Sequence, residues 1–84
     1  MNRYLVLAMR LAHADLAIVP RHVAYLDGLR EQGRLEMSGP FTDKSGGAYL
    51  LRAADRQEAA ALAHADPAHL SGGWDITVHE WAAK

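Results

Sequence analysis

An α+β domain with the element order β-α-β-β-α-β is predicted by the 84-residue sequence on three observations. Short runs of β-compatible residues stand near both ends of the chain and twice in its middle. Two stretches of helical periodicity fall between them. Gly and Pro punctuate most of the junctions.

The first element, residues 3–11 (RYLVLAMRL), is short and β-compatible, so it reads as a strand. Alternation puts Leu5, Leu7, Met9 and Leu11 on one face and Tyr4, Val6 and Ala8 on the other. A strand apolar on both faces is normally covered on both. A connection over residues 13–19 leads to Pro20, which suits a first helical turn because its missing N–H costs nothing there. Residues 20–32 then predict a helix closed by Gly33. At about 100° per residue, Val19, His22, Val23, Leu26 and Leu29 fall on one stripe.

Residues 35–38 read as a short strand stopped by Gly39-Pro40, residues 41–47 (FTDKSGG) as a flexible loop, and residues 48–53 (AYLLRA) as the next strand. Asp55 and Glu58 have the spacing of a capping box. The helix they open, residues 56–65, is nearly all Ala on its buried side and has to lie close against the sheet. Asp66-Pro67 ends it, since the residue before a proline is pushed out of helical geometry. Residues 67–73 form a loop or a single helical turn, and residues 74–81 (WDITVHEW) alternate as a last strand. This is the split βαβ, or ferredoxin-like, order. With both helices on one side of the sheet, Tyr4, Val6 and Ala8 are assigned to the bare face, which asks for a partner.

Composition narrows the function. Nine Lys plus Arg against ten Asp plus Glu leave a net charge of -1, so no basic field exists to hold nucleic acid or an anionic membrane. The absence of Cys excludes a disulfide scaffold, a thiolate zinc site and a cysteine nucleophile. The apolar run at residues 4–9 is cut by Arg10, far short of the ~20 residues that span a bilayer, and no signal-peptide cleavage pattern follows. A cytoplasmic location is expected. Of 42 hydrophobic residues, 16 are Ala and only 18 are Leu, Ile, Val or Phe, a thin supply for a core. A homodimer is the expected remedy.

Few residues suggest chemistry. His22 sits in the first turn of helix one on the apolar stripe, where a neutral imidazole can accept a proton; a lone histidine serves equally to satisfy one hydrogen bond at a helix edge. Asp66 before Pro67 is a candidate partner or simply an Asx-turn residue. Ser38-Gly39-Pro40 and Gly46-Gly47 bracket a loop whose glycines allow backbone to approach a ligand, as they would in any tight turn. His13, His64, His69 and His79 lack metal-ligand spacing, so no metal site is expected.

Together these segments resemble the YCII-related (YciI-like) family. The matching points are the strand YLVLAMRL, Arg21-His22 with Tyr25-Leu26 and Leu29, Gly33 and Leu35, and then Ser38-Gly39-Pro40. Asp43, Gly46-Gly47, Ala65-Asp66-Pro67 and the closing Trp81 complete the pattern, which covers nearly the whole chain. The resemblance implies a ferredoxin-like domain that dimerises through its sheets, in the manner of a dimeric α/β barrel. It also implies an active site pairing His22 with Asp66, lined by Ser38, Gly39, Pro40, Gly46 and Gly47. Relatives with assigned chemistry are similar to lyases and isomerases acting on small, oxygenated, ring-derived molecules. Residues 68–73 depart from the family, which has an aromatic residue and a basic turn there, and are expected to alter the pocket wall.

A His–Asp pair suits proton abstraction beside a carbonyl or enol, with Asp66 orienting the imidazole, His22 taking the proton and backbone N–H groups near Ser38 and Gly39 facing the oxyanion. Such a reaction requires no cofactor. The leading expectation is a cofactor-free enzyme of lyase or isomerase type with a small-molecule substrate. Its rivals are a binding module of the same fold and a dimeric-barrel oxygenase. A cleft in which both residues are bonded and solvent-accessible favours the enzyme. Residues 42–46 are expected to form a mobile loop at the pocket mouth, hinged at Gly46-Gly47.

Overall fold

The computed structural model describes residues 1–84. Four strands, β1 (Asn2–Arg10), β2 (Leu35–Pro40), β3 (Gly46–Ala53) and β4 (Trp74–Glu80), form one antiparallel sheet in the order β2-β3-β1-β4. Helices α1 (Val19–Glu31) and α2 (Arg56–His64) follow β1 and β3, and a single helical turn, α3 (Pro67–Leu70), precedes β4. This is the expected split-βαβ order. No helix is long and apolar enough to cross a membrane.

The core corrects the assignment of the sheet faces. Tyr4 and Val6 are fully buried and pack with Leu26 and Leu29 of α1 and Ala59 and Ala63 of α2. The register continues that layer across the sheet: Tyr4 lies opposite Leu51, and Val6 opposite Tyr49 and Val78. The bare face instead carries Leu5 and Leu7, half-buried, with Met9, Met37 and Trp81 exposed. Because both faces of β1 are apolar, its own alternation holds no information about which one the helices cover. The helices took the side where β4 offers Ile76 and Val78 rather than Asp75, Thr77 and His79.

The helix starts follow capping chemistry. The side chain of Asp15 accepts a hydrogen bond from the Ala17 N–H at 3.0 Å and opens a 3₁₀ turn, Leu16–Ile18, that was not expected and that runs into α1. Gly33, at φ +75°, ends α1 in the left-handed geometry that glycine adopts without penalty. Asp55 accepts from the Glu58 N–H at 2.8 Å, and Glu58 reaches back to the Ala54 N–H at 3.1 Å. The Ala-rich side of α2 buries Ala59 and Ala63 completely, so this helix lies as close to the sheet as its composition requires.

Gly46 and Gly47 are strand, not hinge. Phe41 N–H donates to the Gly46 carbonyl at 2.8 Å, and pairing runs on through Pro40 opposite Gly47 and Ala8 opposite Gly47 on the other side. A Cβ on Gly47 would stand 2.7 Å from the Gly39 carbonyl oxygen. Glycine is used here because three backbones converge, and the turn itself shortens to residues 41–45.

Candidate active site

The elements converge at one end of the sheet. Helix α1 crosses the sheet there, over the end of the β2–β3 hairpin, and encloses a cavity of about 530 Å³, within the range usual for small-molecule sites. Residues 19, 22, 23, 26, 27 and 30 of α1 form one wall at helical spacing. This explains why the apolar stripe divides: Leu26 and Leu29 enter the core, while Val19 and Val23 remain exposed to the cavity. Ser38, Gly39, Pro40, Gly46 and Gly47 line the wall that the β2–β3 hairpin provides. Trp74 and Arg10, opposite each other in the β1–β4 register, also line it, as does Lys44 of the hairpin turn.

His22 lines the cavity and meets the buried Asp66 behind its wall. Nδ1 of His22 lies 2.8 Å from both carboxylate oxygens of Asp66. The two residues arrive by separate routes: His22 from the first turn of α1, and Asp66 from the N-cap of α3, where its Oδ1 also accepts from the Ala68 N–H at 2.9 Å. Pro67 fixes that arrangement by stopping α2 and occupying the first position of the next turn. A third donor, the Tyr49 hydroxyl, reaches Oδ2 at 3.3 Å. With three donors around it, the carboxylate is held in one orientation.

The pair is asymmetric in exposure. The Asp66 side chain is 0% exposed and that of His22 is 22% exposed. The enzyme reading is favoured by a pair in which both residues are accessible; here only the imidazole is. A carboxylate closed off behind the imidazole cannot touch a ligand. Nδ1 facing a carboxylate carries the proton, which leaves Nε2, without a partner in the chain, as the nitrogen available to the cavity. Burial, reinforced by the negative charge of Asp66, holds the Tyr49 hydroxyl well above the usual tyrosine range, so it stays a donor. Tyr25 is pushed up in the same sense, burial first and Asp66 second, and donates to the Leu62 carbonyl at 2.7 Å, tying α1 to α2.

Other site residues were not found from sequence. Tyr49 reads as one more apolar strand residue; the usable signal is that a buried tyrosine hydroxyl needs a partner. Arg30 lies eight positions beyond His22, two turns along the same face, and its guanidinium donates to the Ser38 hydroxyl at 2.8 Å and to Asp27 at 2.9 Å. Residues 68–73 do not line the cavity, contrary to expectation, because α3 turns them behind Asp66. His64 and His69 stack with ring centroids 4.5 Å apart, yet no group of three or more metal-ligating side chains forms.

Comparison with known proteins bears on the family and the fold. The chain is 43% identical over all of its 84 residues to the uncharacterized protein YjpA of Bacillus subtilis (strain 168), covering 99% of that protein. In fold it is similar to the 5-chloro-2-hydroxyhydroquinone dehydrochlorinase TftG from Burkholderia phenoliruptrix AC1100, solved in complex with 2,5-dihydroxybenzoquinone. That match has a TM-score of 0.82 at 18% identity and covers 98% of this chain and 95% of that one. A model of the YCII-related domain matches residues 3–82. With that span matched and a full-length relative at this identity, the chain belongs to the YCII-related family.

Proposed function

We propose that this protein is an enzyme that moves a proton on a small oxygenated molecule, with His22 as the catalytic base and Asp66 as the residue that positions it. One observation carries the reading: a buried carboxylate with three donors fixes Nδ1 of an imidazole whose other nitrogen is left to a cavity of ligand size.

The chemistry follows from the geometry. Nε2 takes a proton from a carbon or hydroxyl beside a carbonyl. The resulting imidazolium is stabilised by Asp66 through Nδ1, which retains its own proton. Charge developing on the carbonyl oxygen is met by the Ser38 hydroxyl of the opposite wall and the Arg30 guanidinium of α1, which are bonded to each other. Return of the proton to another atom gives an isomerase, and loss of a leaving group gives a lyase. Since TftG is a dehydrochlorinase bound to a dihydroxybenzoquinone, ring-derived hydroxyquinones are the first molecules to try. None of these steps draws on a cofactor. The fold also supports a homodimer built on the bare sheet face, where Met9, Met37 and Trp81 remain uncovered.

The test is solvent deuterium incorporation. Hydroxyquinones, enol-lactones and 2-hydroxy-enones are incubated in D₂O with the protein and followed by proton NMR. Exchange catalysed by the wild type and abolished in His22→Ala is the expected result. Tight ligand binding without exchange would favour a binding module of the same fold, and equal exchange by His22→Ala would remove His22 from the chemistry.

A further inference from the structure

Two cations on the wall of the cavity have no acidic counterpart. The four ion pairs of the chain join Arg3 to Glu36, His22 to Asp66, Arg30 to Asp27 and Arg34 to Glu58. Arg10 and Lys44 belong to none of them, although both line the cavity. The only acid on the wall, Asp27, is already committed to Arg30. Asp43, beside Lys44, is turned into its own loop, accepting from the Ser45 N–H at 2.9 Å.

The backbone holds these two cations together. Arg10 ends β1 on the helix-covered side of the sheet, opposite Trp74, and its N–H donates to the Ser45 carbonyl at 2.9 Å. Lys44, one residue earlier, is the only non-glycine residue of the chain at positive φ, +64°. An L-residue there carries a conformational penalty, and a lysine has none of the local side-chain bonding by which asparagine offsets it. The turn keeps it in place through the Lys44 N–H bond to the Phe41 carbonyl at 2.9 Å. Uncompensated positive charge thus stands on the wall of a ligand-sized, largely apolar cavity, and the same two residues also border a second cavity of about 630 Å³ lined by Met9, Leu11 and Ala14.

From this we infer that the ligand of the site is an organic anion, whose carboxylate or phosphate is received by Arg10 and Lys44 while its apolar body lies along Val19 and Val23 toward His22. The inference rests on the functional reading above for the position of the reacting atom, but not for the anion site itself. Arg10 supplies a forked donor and Lys44 a point charge, a combination that suits an oxyanion and gives a neutral ring only the weaker stacking of a cation on its face.

Binding of matched probes tests it. Benzoate, phenyl phosphate and neutral benzamide are titrated into the ¹⁵N-labelled protein and followed by NMR. The expected result is that at least one anion binds ten-fold or more tighter than benzamide and shifts Arg10, Lys44 and Ser45. The better of the two identifies the oxyanion. Arg10→Gln and Lys44→Asn, an exchange that tolerates the same φ, should each remove most of that preference while benzamide binding stays unchanged. In the wild type, raising salt from about 0.02 M to about 0.5 M should collapse it as well. Equal binding of anions and benzamide, or no binding of either anion, overturns the inference, as does a preference that survives both variants. Because the readout is binding, a failure of the deuterium-exchange test leaves it intact, and exchange without anion preference overturns the anion site alone.

Discussion

Replacing Asp66 by asparagine changes one oxygen for an NH₂ group at the centre of three hydrogen bonds, and the consequences for fold and chemistry separate cleanly. The amide oxygen can still accept from the Ala68 N–H, now at 2.9 Å from Oδ1, and asparagine caps a helical turn as well as aspartate does. The amide NH₂ must then face either the Tyr49 hydroxyl, which has lone pairs to accept it, or Nδ1 of His22. The weakened bonds cost about 1 kcal/mol, or roughly 4–8 °C in melting temperature for a domain of this size. Asp66→Ala instead leaves the buried Ala68 N–H and the Tyr49 hydroxyl without an acceptor, at about 1–3 kcal/mol each, so it should destabilise several-fold more. The asparagine variant is therefore the folded one. Its NH₂ favours the opposite histidine tautomer, with Nδ1 accepting and the proton on Nε2, the nitrogen that has to be free for base catalysis. Ring-nitrogen NMR at alkaline pH reads this directly: the proton of His22 sits on Nδ1 in the wild type and on Nε2 in Asp66→Asn. Turnover falls by about 10²–10⁴, with residual activity from the minor tautomer. The reasoning is refuted if both proteins show the same tautomer, or if the tautomer switches while turnover stays near wild type.

Three further outcomes are expected. Light scattering at micromolar concentration should give a dimer, with an interface of ~1,600 Å² or more; Leu7→Glu, on the bare face, should yield a folded monomer, and a wild-type monomer would exclude the sheet-to-sheet assembly. Tyr49→Phe removes the long 3.3 Å bond to Asp66 and should cost about 1 kcal/mol or less in chemical denaturation, with a modest fall in turnover and an unchanged His22 tautomer; a loss of the tautomer preference would mean that Tyr49, and not the imidazole alone, orients the carboxylate. Ala63→Leu forces a large side chain between α2 and the sheet where no space is left, and a loss of about 1–3 kcal/mol is expected, whereas an unchanged melting temperature would show that the helix can lift away.

The fold was legible because local signals agreed with one another. Pro20, Gly33, Asp55 with Glu58, and Asp66-Pro67 each acted within a few residues of where they stand, through a missing N–H, a left-handed φ or a side-chain cap. What failed was non-local. Which face of β1 the helices cover depends on its pairing with β3 and β4, and a strand apolar on both sides is silent about that. The glycines at positions 46 and 47 look like a hinge in isolation, and only the approach of the β1 and β2 backbones shows that they are there to be crowded.

The candidate site divides along the same line, and the division says something about how such a site is built. His22 and Asp66 are visible because each is also a local device, a first-turn residue and an N-cap, and the resemblance to a family joined them. Tyr49, Arg10, Arg30 and Lys44 have no local signature, yet the first holds the carboxylate and the others set the charge of the cavity. The positioning carboxylate is anchored by the Ala68 N–H, a group that belongs to the cap of α3 whatever the ligand is. Residues 68–73, the stretch in which this chain departs most from the family pattern, lie behind that anchor and not on the cavity wall. Variation there can alter the support of the dyad without touching the ligand. On the proposed reading specificity falls instead to α1, the end of β1 and the hairpin turn, where Lys44 holds a positive φ one residue before Ser45, the backbone partner of Arg10. Changes at these positions should alter which molecule binds, and changes around Asp66 how fast it reacts.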